Sequence, residues 1–469
     1  MLELTPELRT DGNKPLYTQL YEYIKTSILE EDIKSGEKLP SIRTLSKHLN
    51  ISRNTVVTAY EQLLSEGYVS SQWRSGIYVE EIHHHIIRHI EVPDSFNDKI
   101  NPQKNTVKYS FDLRNAQIDL DSFPYALWRK VLNQCVHSDM SELLNYGEHQ
   151  GELELREQIS RYLFLSRGVK CRPEQILIGA GTQQSLSMLS IILREVGDSV
   201  AFEEPGYNGA RKVFIDNNFN IVPIPVDSDG IDIASLDESP SKIAYITPSH
   251  QFPCGMVMPV SKRLMLLKWA QRKGGFIIED DYDGEFRYQS KPIPALQGLD
   301  TSGSVIYLGT FSKSLIPSIR ISYMVLPEKL LYIYKARYSI YEQPVSRLNQ
   351  KALQLFMEQG FWNRHIKRMR NIYKKKHDIL IDSITAVLGS RVEIIGKDAG
   401  LHVLINVNNG MDEKELIIRA AESGVGVSPT SQYWYNQDCK YPTRIFIGFG
   451  GIRQEDIPVS ILRLKRSWL

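Results

Sequence analysis

Leu16, Tyr17, Leu20, Tyr21, Ile24 and Ile28 recur three and four residues apart, one face of a helix, and predict an amphipathic helix over residues 15–30. Lys34-Ser35-Gly36-Glu37 reads as a turn. Ser41 then caps a short helix whose Ile42, Leu45 and Leu49 share a face, and Asn50-Ile51 breaks it. Ser52 caps a third helix through about Glu66, with Val56, Val57, Tyr60, Leu63 and Leu64 turned inward. Two short helices joined by a tight turn make a helix-turn-helix. After Gly67 the period changes. Tyr68-Val69-Ser70-Ser71 and Gly76-Ile77-Tyr78-Val79 predict two strands with Gln72-Trp73-Arg74-Ser75 at the tip, the outline of a wing.

Residues 81–108 show no sustained periodicity and are polar and mixed, which predicts a linker over residues 81–109. As a flexible coil of roughly thirty residues it would span on the order of 30 Å. His83, His84, His85 and His89 fall here, but consecutive histidines with no cysteine nearby lack a fixed tetrahedral geometry, so no metal site is expected. From about Ser110 onward, helical segments alternate with apolar runs at 175–178, 199–202, 243–246, 276–278 and 304–308, each followed by a polar or glycine-rich turn. That alternation predicts an α/β fold, a mainly parallel sheet with helices on both faces. The expected organisation is a winged helix over 14–80, the linker, and one large domain over 110–469.

Residues suited to chemistry fall after these apolar runs, at the strand ends where such sheets bind ligands. Lys313, in Gly309-Thr310-Phe311-Ser312-Lys313-Ser314, is a positioned primary amine of the kind that forms a Schiff base. Gly181, Thr182 and Gln183 open a helix whose backbone N–H groups would cradle a phosphate, with Ser312 and Arg320 as completions. Asp280 and Tyr282, in Glu279-Asp280-Asp281-Tyr282-Asp283, are two apart and point to one side of an extended backbone. One would reach a pyridine nitrogen and the other a phenolic oxygen, and Tyr207 in Glu204-Pro205-Gly206-Tyr207 would lie beside the ring. Each piece alone is common; together, in this order, they are the parts that hold pyridoxal 5'-phosphate (PLP). Whether Asp280 or Asp281 takes the nitrogen is left open. In the first eighty residues, Ser52, Arg53, Asn54 and Thr55 start the third helix and suit base edges or phosphate, and Arg74 at the wing tip suits the backbone or minor groove.

Longer strings carry a resemblance. Leu39-Pro40-Ser41-Ile42-Arg43-x-Leu45, Ser52-Arg53-Asn54-Thr55-Val56, the Tyr60 to Leu63 run and the Gly76 wing resemble the GntR family of winged-helix regulators. The resemblance implies that Arg43 and Arg53 contact DNA. Pro248-Ser249-His250-Gln251-Phe252-Pro253-x-Gly255, the Glu279 to Asp283 string and Thr310-Phe311-Ser312-Lys313-Ser314 resemble fold-type I aminotransferases. They are closer still to the aminotransferase-like domain of MocR-type regulators, as are Tyr146-Gly147-Glu148-x-x-Gly151 and Leu155-Arg156.

This resemblance spans residues 14–80 and about 110–469. It implies a winged helix on operator DNA, PLP on Lys313, sensing of PLP or a small amine or amino acid, and a head-to-tail homodimer. In fold-type I aminotransferases an arginine before an apolar strand near the C-terminus binds the substrate carboxylate; Arg444, opening Arg444-Ile445-Phe446-Ile447-Gly448-Phe449, is the match. A guanidinium–carboxylate fork is strong and directional. Some relatives carry a second arginine just past the position of Tyr207. Here Asn208-Gly209-Ala210 stands there and Arg211 is displaced, so one anchor is kept and the other lost. Pro317 also stands where the family commonly has glycine, although Arg320 is retained.

Composition changes the picture in one place. The chain of 469 residues has a net charge of +1, and residues 1–80 hold nine Lys and Arg against eleven Asp and Glu, net −2. DNA contact must then come from placed side chains rather than a general basic field. The four cysteines, Cys135, Cys171, Cys254 and Cys439, lack CxxC spacing and read as reduced thiols. No run approaches the ~20 apolar residues of a membrane span, and no signal-peptide pattern opens the chain, so a cytoplasmic protein is expected. Besides the regulator, a working aminotransferase with an appended DNA-binding head fits the same residues; a cofactor-free scaffold fits Lys313 and Asp280 poorly.

Overall fold

The computed structural model describes residues 4–6, 8–9, 14–73, 75–81, 109–114, 117–288, 293–436 and 442–469. Arg74, the histidine-rich part of the linker and Cys439 lie outside them. The chain divides after Thr106 into two units.

In the first unit, helices α1 (Leu16–Leu29), α2 (Ile42–His48) and α3 (Arg53–Ser65) precede the hairpin of β1 (Val69–Gln72) and β2 (Gly76–Val79). The α1 periodicity holds: Leu20, Tyr21, Ile24 and Ile28 are buried, whereas Tyr17 at the first turn stays exposed. They pack with Leu45, Val56, Tyr60, Leu63, Val69 and Val79 in one core. Both serine caps form, Ser41 Oγ accepting from Thr44 N and Ser52 Oγ from Thr55 N, each at 3.1 Å. One element lay hidden in the sequence. The segment just before α2 pairs with β2, Leu39 N–H donating to Ile77 O and Val79 N–H to Glu37 O, each at 2.9 Å. The wing is thereby tied to the start of α2, and the Tyr60 hydroxyl adds a bond to Pro40 O at 2.9 Å.

The second unit opens with β3 (Phe111–Asp112), which pairs in parallel with β14 (Val425–Gly426). Its main sheet holds β4 (Ile176–Gly179), β5 (Ser199–Glu204), β6 (Asn220–Asp227), β7 (Gly230–Ile231), β8 (Ile243–Ile246), β9 (Phe276–Asp281), β10 (Val305–Thr310) and β11 (Ser322–Val325). The spatial order is β4-β11-β10-β9-β8-β5-β6-β7. The run β10-β9-β8-β5-β6 is parallel; β11 is antiparallel to β4 and β10, and β7 to β6. Apolar side chains leave both faces. Leu177, Phe202, Tyr245, Ile278 and Ile306 enter one layer, and Ala201, Ala244, Ile277 and Val305 another. This is why the strands read as unbroken apolar runs rather than alternating ones. A smaller antiparallel sheet follows, β12 (Val392–Ile395), β13 (His402–Val407), β16 (Arg444–Gly448) and β15 (Ser428–Pro429) in that spatial order.

The end of β9 is fastened from below. Asp281 accepts from Arg167 Nε and from the Tyr307 hydroxyl, both at 2.6 Å, with Arg167 and Asp281 side chains only 4% and 2% exposed. Breaking such a pair leaves an uncompensated buried charge. Asp281→Ala is therefore expected to destabilise the second unit by about 3–5 kcal/mol, read as a lower denaturant midpoint at unchanged slope.

Candidate active site and family

A cavity of about 290 Å³ opens where the parallel strands end. Asp280 and Tyr282 come from the end of β9, Thr310, Ser312 and Lys313 from the end of β10, and Thr247 follows β8. Tyr207 follows β5, Thr182 and Gln183 follow β4, and Arg320 stands just before β11. Leu401, His402, Phe446 and Gly448 close the opposite wall from the smaller sheet. Most of the residues singled out in the sequence thus meet in one place, from four loops far apart in the chain.

The pleat of β9 separates the two aspartates. Asp280 faces the cavity with Oδ2 accepting from the Tyr245 hydroxyl, while its Oδ1 is buried with no hydrogen-bond partner among the described residues. Burial pushes its carboxyl up to about 7, with Asp281 and Asp283 adding to the rise and the Tyr245 bond opposing it. A positive N–H placed against Oδ1 would meet its one unused acceptor. Asp281, whose Oδ2 is held by Arg167 and Tyr307, does not line the cavity.

Gly181 caps the helix Thr182–Leu193 at φ +100, a left-handed conformation that favours glycine. A Cβ there would collide with the Arg320 guanidinium, which itself donates to Ala180 O at 3.0 Å. Gly181 N–H donates to Ser322 Oγ at 3.0 Å, so Gly181 shapes the turn, and Thr182 and Gln183 present the free helix N-terminus to the cavity. With Ser312 and Arg320 beside it, this end suits a phosphate. Lys313 reaches the cavity with its ammonium held below the ordinary lysine range by burial, Asp283 opposing. The Tyr207 ring packs edge-on to Phe252 at 5.8 Å, and Gly209 leaves it room, since a Cβ there would fall 2.5 Å from the Tyr207 ring. The donor set therefore fits PLP: amine, phosphate cradle, ring-side tyrosine and an orphaned carboxylate oxygen.

Two of the named residues do not line the cavity: Gly181, which shapes the turn before Thr182, and Arg444. Arg444 stands two and four residues before Phe446 and Gly448, which do, and so on the same face of β16. Its Nη1 lies 3.8 Å from Cys254 Sγ, and its buried Nε has no hydrogen-bond partner among the described residues. Arg211 is engaged elsewhere, donating from Nη1 to Glu204 Oε2 at 3.1 Å and to Tyr433 O at 3.2 Å. Sequence reasoning passed over Thr247, Asp283, His402 and Phe446. The Pro248 to Gly255 string and the aspartate directly after Tyr282 were the available signals for part of this set; nothing local marks His402. His250, Asp283 and His402 bring potential metal-ligand atoms within 4.8 Å of one another. Hydrogen bonds occupy one ring nitrogen of each histidine, His250 Nδ1 with Asp283 at 3.0 Å and His402 Nε2 with Pro253 O at 3.0 Å.

Residues 114–454 match the aminotransferase class I and II family. The chain belongs to that family. Ahead of it, residues 16–79 match the gntR family of bacterial regulatory proteins, so the aminotransferase-like unit follows a DNA-binding one. The same joined arrangement carries through to full-length relatives. The chain is 43% identical over 468 residues to the uncharacterized HTH-type transcriptional regulator YdeL of Bacillus subtilis (strain 168), covering 100% of both chains. It is 32% identical to the probable rhizopine catabolism regulatory protein MocR of Rhizobium meliloti, over 98% of this chain and 95% of that one. Among solved structures, the kynurenine aminotransferase of Pyrococcus horikoshii, in complex with PMP, superposes with a TM-score of 0.69 at 26% identity, over 77% of this chain and 92% of that one. PLP is thus the cofactor of this aminotransferase-like unit. No helix among the described residues is long and apolar enough to cross a membrane.

The Asp280 carboxyl gives the cofactor-free protein a definite pH dependence. Its folded pKa of about 7 lies above the ~3.9 of an unfolded aspartate. The folded state thus keeps a proton that the unfolded chain releases, and stability falls as pH rises through that interval. Asp280→Asn is expected to remove this share of the slope. The check is the wild-type minus variant melting difference from pH 4 to 8, which cancels Glu203 and Glu285, both also pushed up to about 7 by burial.

Proposed function

We propose that this protein is a PLP-dependent transcription regulator that binds operator DNA through its first unit and senses a small amine or amino acid in its second. The observation that carries this reading is one chain that joins the two parts: a capped α3 with exposed Arg53 and Asn54, and a cavity with a free amine, an orphaned carboxylate oxygen and a phosphate cradle. In the first unit, Arg43 on α2 and Arg53 at the start of α3 are exposed and reach bases or phosphates. Ser52 and Thr55 hold the helix end in shape through their mutual cap, and Asn54 stands beside Arg53 for an adenine edge. In the second unit, Lys313 provides the covalent tie, Asp280 receives the pyridine N–H, Tyr282 faces the phenolic oxygen, and Tyr207 flanks the ring. Thr182, Gln183, Ser312 and Arg320 take the phosphate. The bound cofactor supplies an electron-poor ring and a carbonyl that reacts with amines.

Arg444 completes the reading as the effector's carboxylate anchor; its unpaired buried Nε and its place on the cavity face of β16 support that role. The protein works in the cytoplasm as a homodimer. Exposed Leu144, Tyr146 and Ile340 on the second unit supply apolar surface for a second copy. A working aminotransferase uses the same cavity, and multiple turnover with an amino acid and a 2-oxo acid distinguishes it.

The operator, selected from random-sequence duplex, is titrated with cofactor-free protein, PLP-loaded protein, and PLP-loaded protein with amino acids or the matching amines that lack the carboxylate. Arg43→Ala and Arg53→Ala are each expected to weaken operator binding by about 1–3 kcal/mol. Lys313→Ala is expected to lose the visible absorbance of the loaded protein while remaining folded. Arg444→Ala is expected to raise the effector concentration needed by about tenfold to more than a hundredfold, the ~1.5–3 kcal/mol of a charged hydrogen bond, with PLP retained. Bare amines that switch the protein as well as amino acids do, with Arg444→Ala unchanged, would remove the carboxylate argument.

A further inference from the structure

Three ionisable side chains sit behind Tyr282 with no part in the cofactor contacts assigned above: His250, Asp283 and His402, which are 1%, 3% and 5% exposed. Two of them, Asp283 and His402, also line the cavity. His250 comes from the loop after β8, Asp283 from the loop after β9 and His402 from the start of β13, so both sheets contribute. Burial on this scale is costly for charged or polar groups unless each bond is satisfied, which makes their hydrogen bonds informative.

The bonds fix the proton positions. His402 Nε2 lies 3.0 Å from Pro253 O. A carbonyl oxygen only accepts, so Nε2 carries the proton. Burial, then the neighbouring His250, keep this ring well below the ordinary histidine range, and Lys313 adds to the effect. It is neutral and stacks on Phe446 at 4.2 Å and 18°.

His250 Nδ1 has two neighbours, Asp283 Oδ2 at 3.0 Å and the Tyr282 hydroxyl at 2.9 Å. An unprotonated Nδ1 would set its lone pair against a carboxylate at that distance, so Nδ1 carries the proton and donates. The buried Nε2 has no hydrogen-bond partner among the described residues, and no acceptor stands there for a second N–H. The proton that faces Tyr282 is thus the one on Nδ1. The Tyr282 oxygen, facing an N–H, is an acceptor there, and its own O–H is left to donate elsewhere. The open direction is the cavity that Tyr282 lines. Burial, reinforced by Asp283 and Asp280, holds the phenol far above its ordinary pKa, so that proton stays on.

The packing protects this arrangement. Gly400, at φ +77, lies against the pair, and a Cβ on it would strike the His250 ring and come 2.7 Å from Asp283 Oδ2. Next to it along the same ring edge, a Cβ at Gly255 would come within 3.2 Å of His250 Nε2 and 2.6 Å of the Gly396 Cα. Gly400 and Gly255 thus crowd the Nδ1–Cε1–Nε2 edge of the imidazole and leave no room there for a larger residue.

We propose that His250, locked by Asp283, is a positioning residue that turns the Tyr282 hydroxyl into a hydrogen-bond donor into the cavity, aimed at the phenolic oxygen of bound PLP. This rests on the cofactor reading above. His250 touches no part of the cofactor and acts through Tyr282. A donor there stabilises negative charge on that oxygen. Removing it makes the neighbouring proton easier to keep and raises the pH midpoint of the loaded protein's visible absorbance. A hydrogen bond to a charged group corresponds to a shift of about one to two pH units.

The test is a double-mutant cycle on full-length PLP-loaded protein, with the absorbance midpoint and the PLP dissociation constant from equilibrium dialysis as readouts. Tyr282→Phe and His250→Phe are each expected to raise the midpoint and weaken PLP binding. The double variant is expected to match Tyr282→Phe alone, because residues acting through one contact are not additive. His250→Asn places an amide N–H where Nδ1 stands and is expected to keep the wild-type midpoint. His250→Gln, whose amide falls at the Nε2 position, is expected to shift it; this pair of small polar variants decides the matter even if phenylalanine disturbs folding. Additive shifts in the double variant, or equal shifts for His250→Asn and His250→Gln, would reduce His250 to packing and overturn the proposal. Failure of the cofactor reading shows separately, as visible absorbance that persists in Lys313→Ala.

Discussion

The buried pair of Arg167 and Asp281 is the constraint on which the cavity depends. Successive residues of a strand point to opposite faces, so whatever holds Asp281 also decides where Asp280 and Tyr282 go. Arg167 and Tyr307 hold Asp281 on one side of β9, and Asp280 is thereby presented on the other with an oxygen to spare. The pair is fully enclosed, and its attraction must repay the desolvation of both charges. What it contributes is register: a strand end that cannot rotate.

Lys313, Thr182 and Arg320 are positioned by the same sheet from neighbouring strands. β10 lies beside β9 with Leu308 opposite Asp280, so the loop carrying Lys313 leaves the sheet next to the aspartate. β11 runs antiparallel between β10 and β4, which puts Arg320 at the edge where β4 delivers Gly181. One strand of reversed direction thus supplies the guanidinium that a purely parallel sheet would place at the far end. Above, β13 and β16 lower His402 and Phe446 onto the cavity, and the glycines near residues 396–400 let that sheet approach the His250 loop.

The first unit follows a different physical logic. With a net charge of −2 over residues 1–80, it has no general field for phosphate, and affinity must come from a few well-placed cations. The structure invests in rigidity instead: two serine caps, a strand pairing between the start of α2 and the wing, and the Tyr60 bond to Pro40. Such a head trades general attraction for geometry, and geometry is what reads sequence.

The residues alone determined the element types, because apolar spacing reports which faces are buried. The runs at 175–178, 243–246 and 276–278 could only be strands covered on both sides, and the α3 stripe only a helix with one face in a core. They also pointed to a candidate donor set, since Lys313, Tyr282 and the Gly181 helix start each follow an apolar run and Asp280 stands at the end of one. The tertiary structure decided what depends on distance between segments far apart in the chain. It separated Asp280 from Asp281 through a partner 114 residues away in sequence, withdrew Arg211 into a pair with Glu204, and left Arg444 just outside the cavity wall. It also gathered His250, Asp283 and His402 from two loops and the start of β13: His250 bonds to Asp283, and its ring lies 4.9 Å from that of His402. Periodicity is a local property and can be read along the chain; the choice of partner for a buried charge is not, because it depends on what the fold brings within about 3 Å.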